Sequence, residues 1–177
     1  MLVLCTGNIC RSPMAQLMLR ARLEQRGVQA DVDSAGFVTQ DRPAPPEILD
    51  VLVARGLDGS AHRSRRLQAP DLQRPDLVLA MERQHVREVA VLDREAFERT
   101  FTLPDLARRA RAHGPRRPDE DLRAYLHRIS AGRRPADVLG VGDDEVADPY
   151  GRNAAAYRRA ADEIEELLDV VVDHLFP

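Results

Sequence analysis

The feature that most constrains this chain is a cysteine and an arginine, Cys5 and Arg11, separated by five residues close to the N-terminus. The apolar run 2–4 comes just before the cysteine and is typical of a buried strand. Ser12 and Pro13 follow the arginine and predict a helix start, with the serine at the N-cap. Strand, loop and helix in this order predict a loop at the carboxyl edge of a parallel sheet, where α/β proteins bind ligands.

This loop has the residue types of a phosphate site. A loop of its length can turn successive backbone N–H groups inward, and the helix that follows points its positive end at the same place. The guanidinium of Arg11 can hold two phosphate oxygens at once. We therefore predict that phosphate is bound by the residues that follow the cysteine: Thr6, Gly7, Asn8, Ile9, Cys10, Arg11 and Ser12.

Cys5 lies at the base of the predicted site. Positive potential around a thiol favours its thiolate, which is the nucleophilic form and can attack phosphorus. Ser12 can donate a hydrogen bond to the sulfur, and Gly7 and Asn8 tolerate the left-handed backbone of a tight loop. The alternative is that Cys5 merely ends a core strand and Arg11 is a solvated surface residue. The agreement of strand, loop and helix favours the catalytic interpretation.

The rest of the chain predicts the architecture. Further strands are expected at 30–34, 77–81 and 99–103, alternating with helical segments, and a long amphipathic helix covers 157–175. This alternation predicts an α/β fold: one three-layer domain, 1–177, with a four-stranded parallel sheet flanked by helices. The segment at about 93–146 is expected to be an insertion or a divergent part.

Composition excludes several classes of protein. A net charge of −3 argues against a nucleic-acid binder, and the basic residues are all arginine, so lysine Schiff-base chemistry is excluded. No apolar run approaches the length that spans a membrane, and the N-terminus does not resemble a leader sequence. The 2 cysteines are too few for a disulfide framework. We therefore expect a cytoplasmic protein with reduced thiols.

The stretch 3–15, Val-Leu-Cys-Thr-Gly-Asn-Ile-Cys-Arg-Ser-Pro-Met-Ala, resembles the phosphate-binding loop of low-molecular-weight protein tyrosine phosphatases. The resemblance implies a phosphocysteine intermediate on Cys5, with Arg11 and Ser12 also catalytic and no metal or cofactor. It also implies a general acid in an Asp-Pro-Tyr segment, which matches Asp148 here, with Tyr150 at the mouth of the pocket. Taken alone, Asp-Pro-Tyr is an ordinary turn.

Three further residues take their roles from this resemblance. Ser34, in Asp-Ser-Ala-Gly, would support Asn8 and the loop, and His62 would join the same hydrogen-bond network. Without the resemblance, His62 would be interpreted as a surface loop residue. Cys10 would protect an oxidised Cys5 by forming a disulfide with it, although it could also simply pack inside the loop. The other histidines receive no role: His85, His113, His127 and His174.

The segment 40–46 has no aromatic residue where the resemblance implies a ring beside the substrate. Tyr150, with Phe37 second, is therefore the expected ring at the mouth. The implied partner is a phosphotyrosine-bearing protein, such as a bacterial tyrosine kinase, with phosphate or another oxyanion in the loop.

Two other functions stay open. An arsenate reductase that uses an external thiol needs no cysteine beyond those present, whereas one that uses a shuttling disulfide needs more. A non-catalytic phosphate-binding module would be indicated by loss of the cysteine, the arginine or the aspartate, and all three are present.

Overall fold

The fold is built on a short parallel sheet, and this computed structural model describes residues 1–139 and 144–177. Its strands are β1 (Leu2–Cys5), β2 (Asp33–Gly36), β3 (Val78–Ala80) and β4 (Thr100–Thr102). They lie in the order β2-β1-β3-β4, and every neighbouring pair is parallel. The predicted α/β fold with a four-stranded parallel sheet is confirmed.

Helices cover both faces of the sheet. Val3 and Leu79 belong to the large core shared with the first and last helices, whereas Leu4 and Val78 belong to a smaller core shared with Val89 of the third. Burial on both faces explains why the strands are continuous apolar runs. No helix in the described ranges is long and apolar enough to cross a membrane. The helices are α1 (Arg11–Gln25), α2 (Pro46–Val53), α3 (Arg83–Leu92), α4 (Leu103–His113), α5 (Leu122–Ser130) and α6 (Ala154–Leu175).

Two predicted boundaries are wrong. Helix α1 begins at Arg11, and Cys10 rather than Ser12 occupies its N-cap position, because the Ser12 hydroxyl contacts Cys5 and Asn8 inside the loop instead of capping the helix. Strand β2 covers 33–36 rather than 30–34. Its partner β1 begins only at Leu2, which pairs with Asp33, so the ladder cannot start earlier.

The segment 93–146 supplies part of the sheet. It contains β4, α4 and α5, and β4 pairs with β3 in a register that places Thr100 beside Val78. Thr102 caps α4 by accepting a hydrogen bond from the backbone N–H of Asp105, as its spacing predicts. Residues 140–143 of this segment lie outside the described residues. That the segment is an insertion or a divergent part stays a prediction, as does the assignment of 1–177 to one domain.

Candidate active site

The loop between β1 and α1, with the residues that bound it, will be called the cysteine loop, residues 5–12. It leaves the sheet at the carboxyl end of β1, between β2 and β3, where connections diverge to the two sides. Asn8 has a φ of 51°, the left-handed conformation expected of it. Gly7 was expected to share that conformation and does not, since its φ is not positive. One left-handed residue is enough to turn this loop.

The sulfur of Cys5 is buried and held by two hydrogen-bonding groups. The backbone N–H of Asn8 donates to it over 3.2 Å, and the hydroxyl oxygen of Ser12 lies 3.0 Å away. That hydroxyl oxygen also accepts a bond from the Asn8 amide at 2.9 Å, so its own proton is available for the sulfur. Hydrogen bonds to a sulfur anion stabilise the charged form.

Asn8 connects the cysteine loop to two distant segments. Its side-chain amide donates to the Ser34 hydroxyl at 2.8 Å, and its side-chain oxygen accepts from the backbone N–H of Arg65 at 2.9 Å. The Nε2 atom of His62 donates to the backbone carbonyl of Asn8 at 2.6 Å. The structure thus brings both Ser34 and His62 to Asn8.

Arg11 is only 1% exposed, and one edge of its guanidinium is anchored. Its Nη1 atom donates to a carboxylate oxygen of Glu82 and to the carbonyl of Val146, the latter at 2.9 Å. The Nη2 atom lies 2.9 Å from Oδ2 of Asp148 and 3.3 Å from the hydroxyl of Thr6.

The Nε atom of Arg11 is buried and has no hydrogen-bond partner in the part of the chain that the structure describes. Buried donors without partners are rare in folded proteins. Nε and Nη2 form one edge of the guanidinium, the fork that pairs with two oxygens of a carboxylate or phosphate. Nη1 is held by Glu82 and Val146, so a ligand can pair with this fork by bonding to Nε and replacing Asp148 on Nη2.

Sequence reasoning missed Glu82 and His85. His85 is buried, its Nε2 atom lies 3.1 Å from the Thr6 hydroxyl, and its ring stacks on Phe37 with the centroids 5.3 Å apart. Burial lowers the pKa of His85 to about 3, the positive charge of Arg11 acts in the same direction, and Asp148 opposes both. The one available signal was position: both residues follow β3 at the carboxyl edge of the sheet.

Asp148 lies on the acid segment, residues 144–151, which is attached to the rest of the protein mainly toward its two ends. The backbone N–H of Val146 donates to the carbonyl of Met81 at 2.9 Å, and that of Gly151 donates to the hydroxyl of Tyr157 at 3.2 Å. The side chain of Asp148 is 45% exposed, and Tyr150 is 59% exposed. The acid segment thus places a carboxylate on the fork of Arg11 and an exposed ring two residues further on.

Cys10 is buried, and both cysteines are free thiols. Burial raises the pKa of the Cys10 thiol to about 12; the charges of Cys5 and Asp148 add to this effect, and Arg11 opposes it. The Cys10 thiol is therefore protonated at neutral pH.

Comparisons with known proteins agree with this geometry. Residues 1–120 match the family described as low molecular weight phosphotyrosine protein phosphatase. The chain is 35% identical over 127 residues to the low molecular weight protein-tyrosine-phosphatase Etp of Escherichia coli, covering 71% of this chain and 83% of that one. It is 31% identical over 175 residues to a protein-arginine-phosphatase of Geobacillus stearothermophilus, covering 98% and 94%. The solved low molecular weight protein tyrosine phosphatase of T. tengcongensis superposes with a TM-score of 0.73 at 30% identity, over 97% of this chain and 96% of that one.

Proposed function

The chain belongs to the low molecular weight phosphotyrosine protein phosphatase family, whose members are cysteine-based hydrolases, and we propose that it hydrolyses phosphotyrosine in proteins through a phosphocysteine intermediate. One observation carries the proposal: the buried fork of Arg11 has an unpartnered Nε atom and opens onto the loop that holds the Cys5 sulfur. A phosphoryl group can supply one oxygen to the unpartnered Nε and a second that replaces the Asp148 carboxylate on Nη2.

The first step transfers the phosphoryl group to Cys5. The thiolate attacks phosphorus, the bond from phosphorus to the phenolic oxygen breaks, and Asp148 gives its proton to that oxygen. Arg11 and the loop N–H groups hold the phosphoryl oxygens, and their positive charge stabilises the transition state. Asp148 touches Arg11 in the free enzyme, so a phosphoryl oxygen replaces its carboxylate at Nη2 as substrate enters.

The second step restores the enzyme. Asp148, now a carboxylate, takes a proton from a water molecule that attacks the phosphocysteine, and the bond from phosphorus to sulfur breaks. The sulfur departs as a thiolate, and the Ser12 hydroxyl donates a hydrogen bond that stabilises it, a role supported by the 3.0 Å contact. Inorganic phosphate then leaves.

Phosphoarginine is a second candidate substrate. A relative named protein-arginine-phosphatase aligns with 98% of this chain, whereas Etp aligns with 71%. The exposed ring of Tyr150 beside Asp148 supports a flat aromatic substrate instead, because rings pack favourably against one another. We therefore rank phosphotyrosine first.

We further propose a phosphotyrosine protein as partner, of the class of an autophosphorylated tyrosine kinase, and a cytoplasmic location, where the nucleophilic thiol stays reduced. Cys10 would close a disulfide with an oxidised Cys5 and so prevent irreversible oxidation.

The test measures hydrolysis of p-nitrophenyl phosphate, a phosphotyrosine peptide and a phosphoarginine peptide, without added metal. We expect Cys5→Ser to abolish turnover and Asp148→Ala to reduce it by roughly 10²–10⁴-fold. Asp76→Ala is the matched control, because Asp76 is a similarly exposed carboxylate paired with an arginine far from the loop. Turnover that survives in Cys5→Ser would overturn the mechanism, and a preference for the phosphoarginine peptide would reverse the ranking of substrates. Arsenate reduction, or phosphate binding without turnover, would point to the two alternatives.

A further inference from the structure

His85 has a fixed arrangement of protons. The backbone N–H of Glu82 donates to its Nδ1 atom at 3.1 Å, so that nitrogen carries no proton. The low pKa keeps the ring neutral in the physiological range, and a neutral imidazole has one N–H. The proton is therefore on Nε2, which donates to the hydroxyl oxygen of Thr6 at 3.1 Å.

The Thr6 hydroxyl is thereby restricted to a single role. Its oxygen has two lone pairs, and both receive donors: the Nε2–H of His85 and the Nη2–H of Arg11 at 3.3 Å. Its own proton must point away from both, and no acceptor for it lies among residues 1–139 and 144–177. The side chain is thus a hydrogen-bond donor that the protein itself does not use.

The position of this donor relates it to the ligand. Nη2 of Arg11 contacts both the Thr6 hydroxyl and Oδ2 of Asp148. A phosphoryl oxygen that takes the place of Asp148 on Nη2 becomes a neighbour of the Thr6 hydroxyl. We propose that the Thr6 hydroxyl donates a hydrogen bond to the bound phosphoryl group, and that His85 is the positioning residue that directs this donor. The inference rests on the proposed function and adds two side chains to it.

The surroundings of His85 suit a positioning role. Phe37 covers one face of the ring, and Glu82 fixes its Nδ1 side while its carboxylate holds Nη1 of Arg11. One turn at the start of α3 therefore orients both Arg11 and, through His85, Thr6. His85 itself touches no reacting atom.

The test measures the affinity for inorganic phosphate by calorimetry, in the wild type and in Thr6→Val, Thr6→Ser, His85→Leu and the double variant of Thr6→Val with His85→Leu. A hydrogen bond to a charged group predicts roughly ten- to hundredfold weaker binding in Thr6→Val, with affinity restored by Thr6→Ser. His85→Leu should weaken binding by roughly two- to tenfold when Thr6 is present and have no further effect in Thr6→Val. Thr100→Val is the control, because it removes a buried hydroxyl bond, to the carbonyl of Ala96, at the opposite end of the sheet.

Each outcome decides the inference. The inference is overturned if Thr6→Val binds phosphate as tightly as the wild type. It is also overturned if His85→Leu weakens phosphate binding equally in the wild type and in Thr6→Val. If His85→Leu does not fold, the comparison of valine and serine at position 6 still decides whether the hydroxyl binds phosphate. Binding is measured without substrate, so a wild type that binds phosphate but fails to hydrolyse the phosphopeptides contradicts the proposed function and leaves the affinity comparison valid.

Discussion

The cysteine loop and the acid segment form the two sides of one site, and they are built in opposite ways. In the cysteine loop, Asn8 alone makes hydrogen bonds to Ser12, Ser34, His62 and Arg65, and Asn8, Ser12 and Ser34 are buried. In the acid segment, Asp148 and Tyr150 are exposed, and the hydrogen bonds to other parts of the protein lie mainly toward the two ends, at 144–146 and at Gly151.

The difference matches the two tasks. Holding a phosphoryl group in line with the sulfur requires fixed donors, because small displacements lower the rate steeply. Delivering a proton to the leaving group, and then taking one from water, requires a carboxylate that can exchange partners. Exposed stretches between anchored ends, such as the one that carries Asp148, open at low free energy. In the proposed mechanism, the cysteine loop binds the phosphoryl group and the acid segment carries the general acid.

Among variants that leave the proposed catalytic residues in place, the largest effect is expected from Gly36→Ala, which tests whether the cysteine loop is as tightly fixed as we infer. A Cβ atom at Gly36 would lie 2.7 Å from the backbone nitrogen of Asn8 and 2.9 Å from the carbonyl oxygen of Thr6. Both contacts are with backbone, so the loop must shift, and we expect kcat/KM to fall by roughly a hundredfold or more. The measurement is steady-state hydrolysis of a phosphotyrosine peptide.

Gly59→Ala is the control for that variant. Its Cβ atom would approach the Cδ1 atom of Leu52 to 2.6 Å, a contact as short as those at Gly36. The end of a leucine side chain can move, and the site is untouched, so activity should be kept. A fully active Gly36→Ala enzyme would contradict the description of the cysteine loop as rigid.

A smaller effect, confined to the acid segment, is expected from Tyr157→Phe. The change removes the hydroxyl that accepts the N–H of Gly151, and one neutral hydrogen bond predicts a loss of about two- to tenfold in kcat. The loss should be larger for phenyl phosphate than for p-nitrophenyl phosphate, because phenolate needs protonation more than nitrophenolate does.

The affinity of Tyr157→Phe for inorganic phosphate should match that of the wild type. This result would show that the change affects the acid segment and not phosphate binding by the cysteine loop. Tyr125→Phe is the control, since it loses a hydroxyl bond to the carbonyl of Gly114 away from both halves. Equal losses on both phosphate esters would show that Tyr157 does not act through the acid.

The smallest effect on turnover is expected at Cys10, because its proposed role concerns oxidation of Cys5. The prediction therefore concerns the rate of disulfide formation. Peroxide oxidises the Cys5 thiolate to a sulfenic acid, and the Cys10 thiolate then displaces hydroxide from that sulfur to form the disulfide. A pKa raised to about 12 leaves little Cys10 thiolate at neutral pH, and the fraction grows about tenfold for each pH unit below that value. Disulfide formation after a peroxide pulse, followed by mass spectrometry, should therefore be faster at pH 8 than at pH 6.

Cys10→Ser supplies the baseline for this measurement, because it cannot form the disulfide. Equal rates at pH 6 and pH 8 would show that the loop rearranges on oxidation and exposes Cys10. In that case the cysteine loop would be rigid only in its reduced form.

The sequence predicted the parts of the site that depend on neighbouring residues. Cys5, Asn8 and Arg11 lie where the succession of strand, loop and helix places them, and Ser12 reaches the sulfur as its spacing suggested. The predicted start of α1 was wrong by two residues, because the Ser12 hydroxyl bonds within the loop and does not cap the helix.

Local pattern predicted which strands and helices form and in what order, because apolar periodicity is a property of adjacent residues, whereas the bounds of β2 were set by its pairing with β1. Only the tertiary structure decided that Glu82 anchors Arg11 and that His85 meets Thr6, since these contacts join residues more than seventy positions apart. Such contacts depend on which strand lies beside which. The order β2-β1-β3-β4, fixed by packing across the whole core, sets the end of β3 against the cysteine loop.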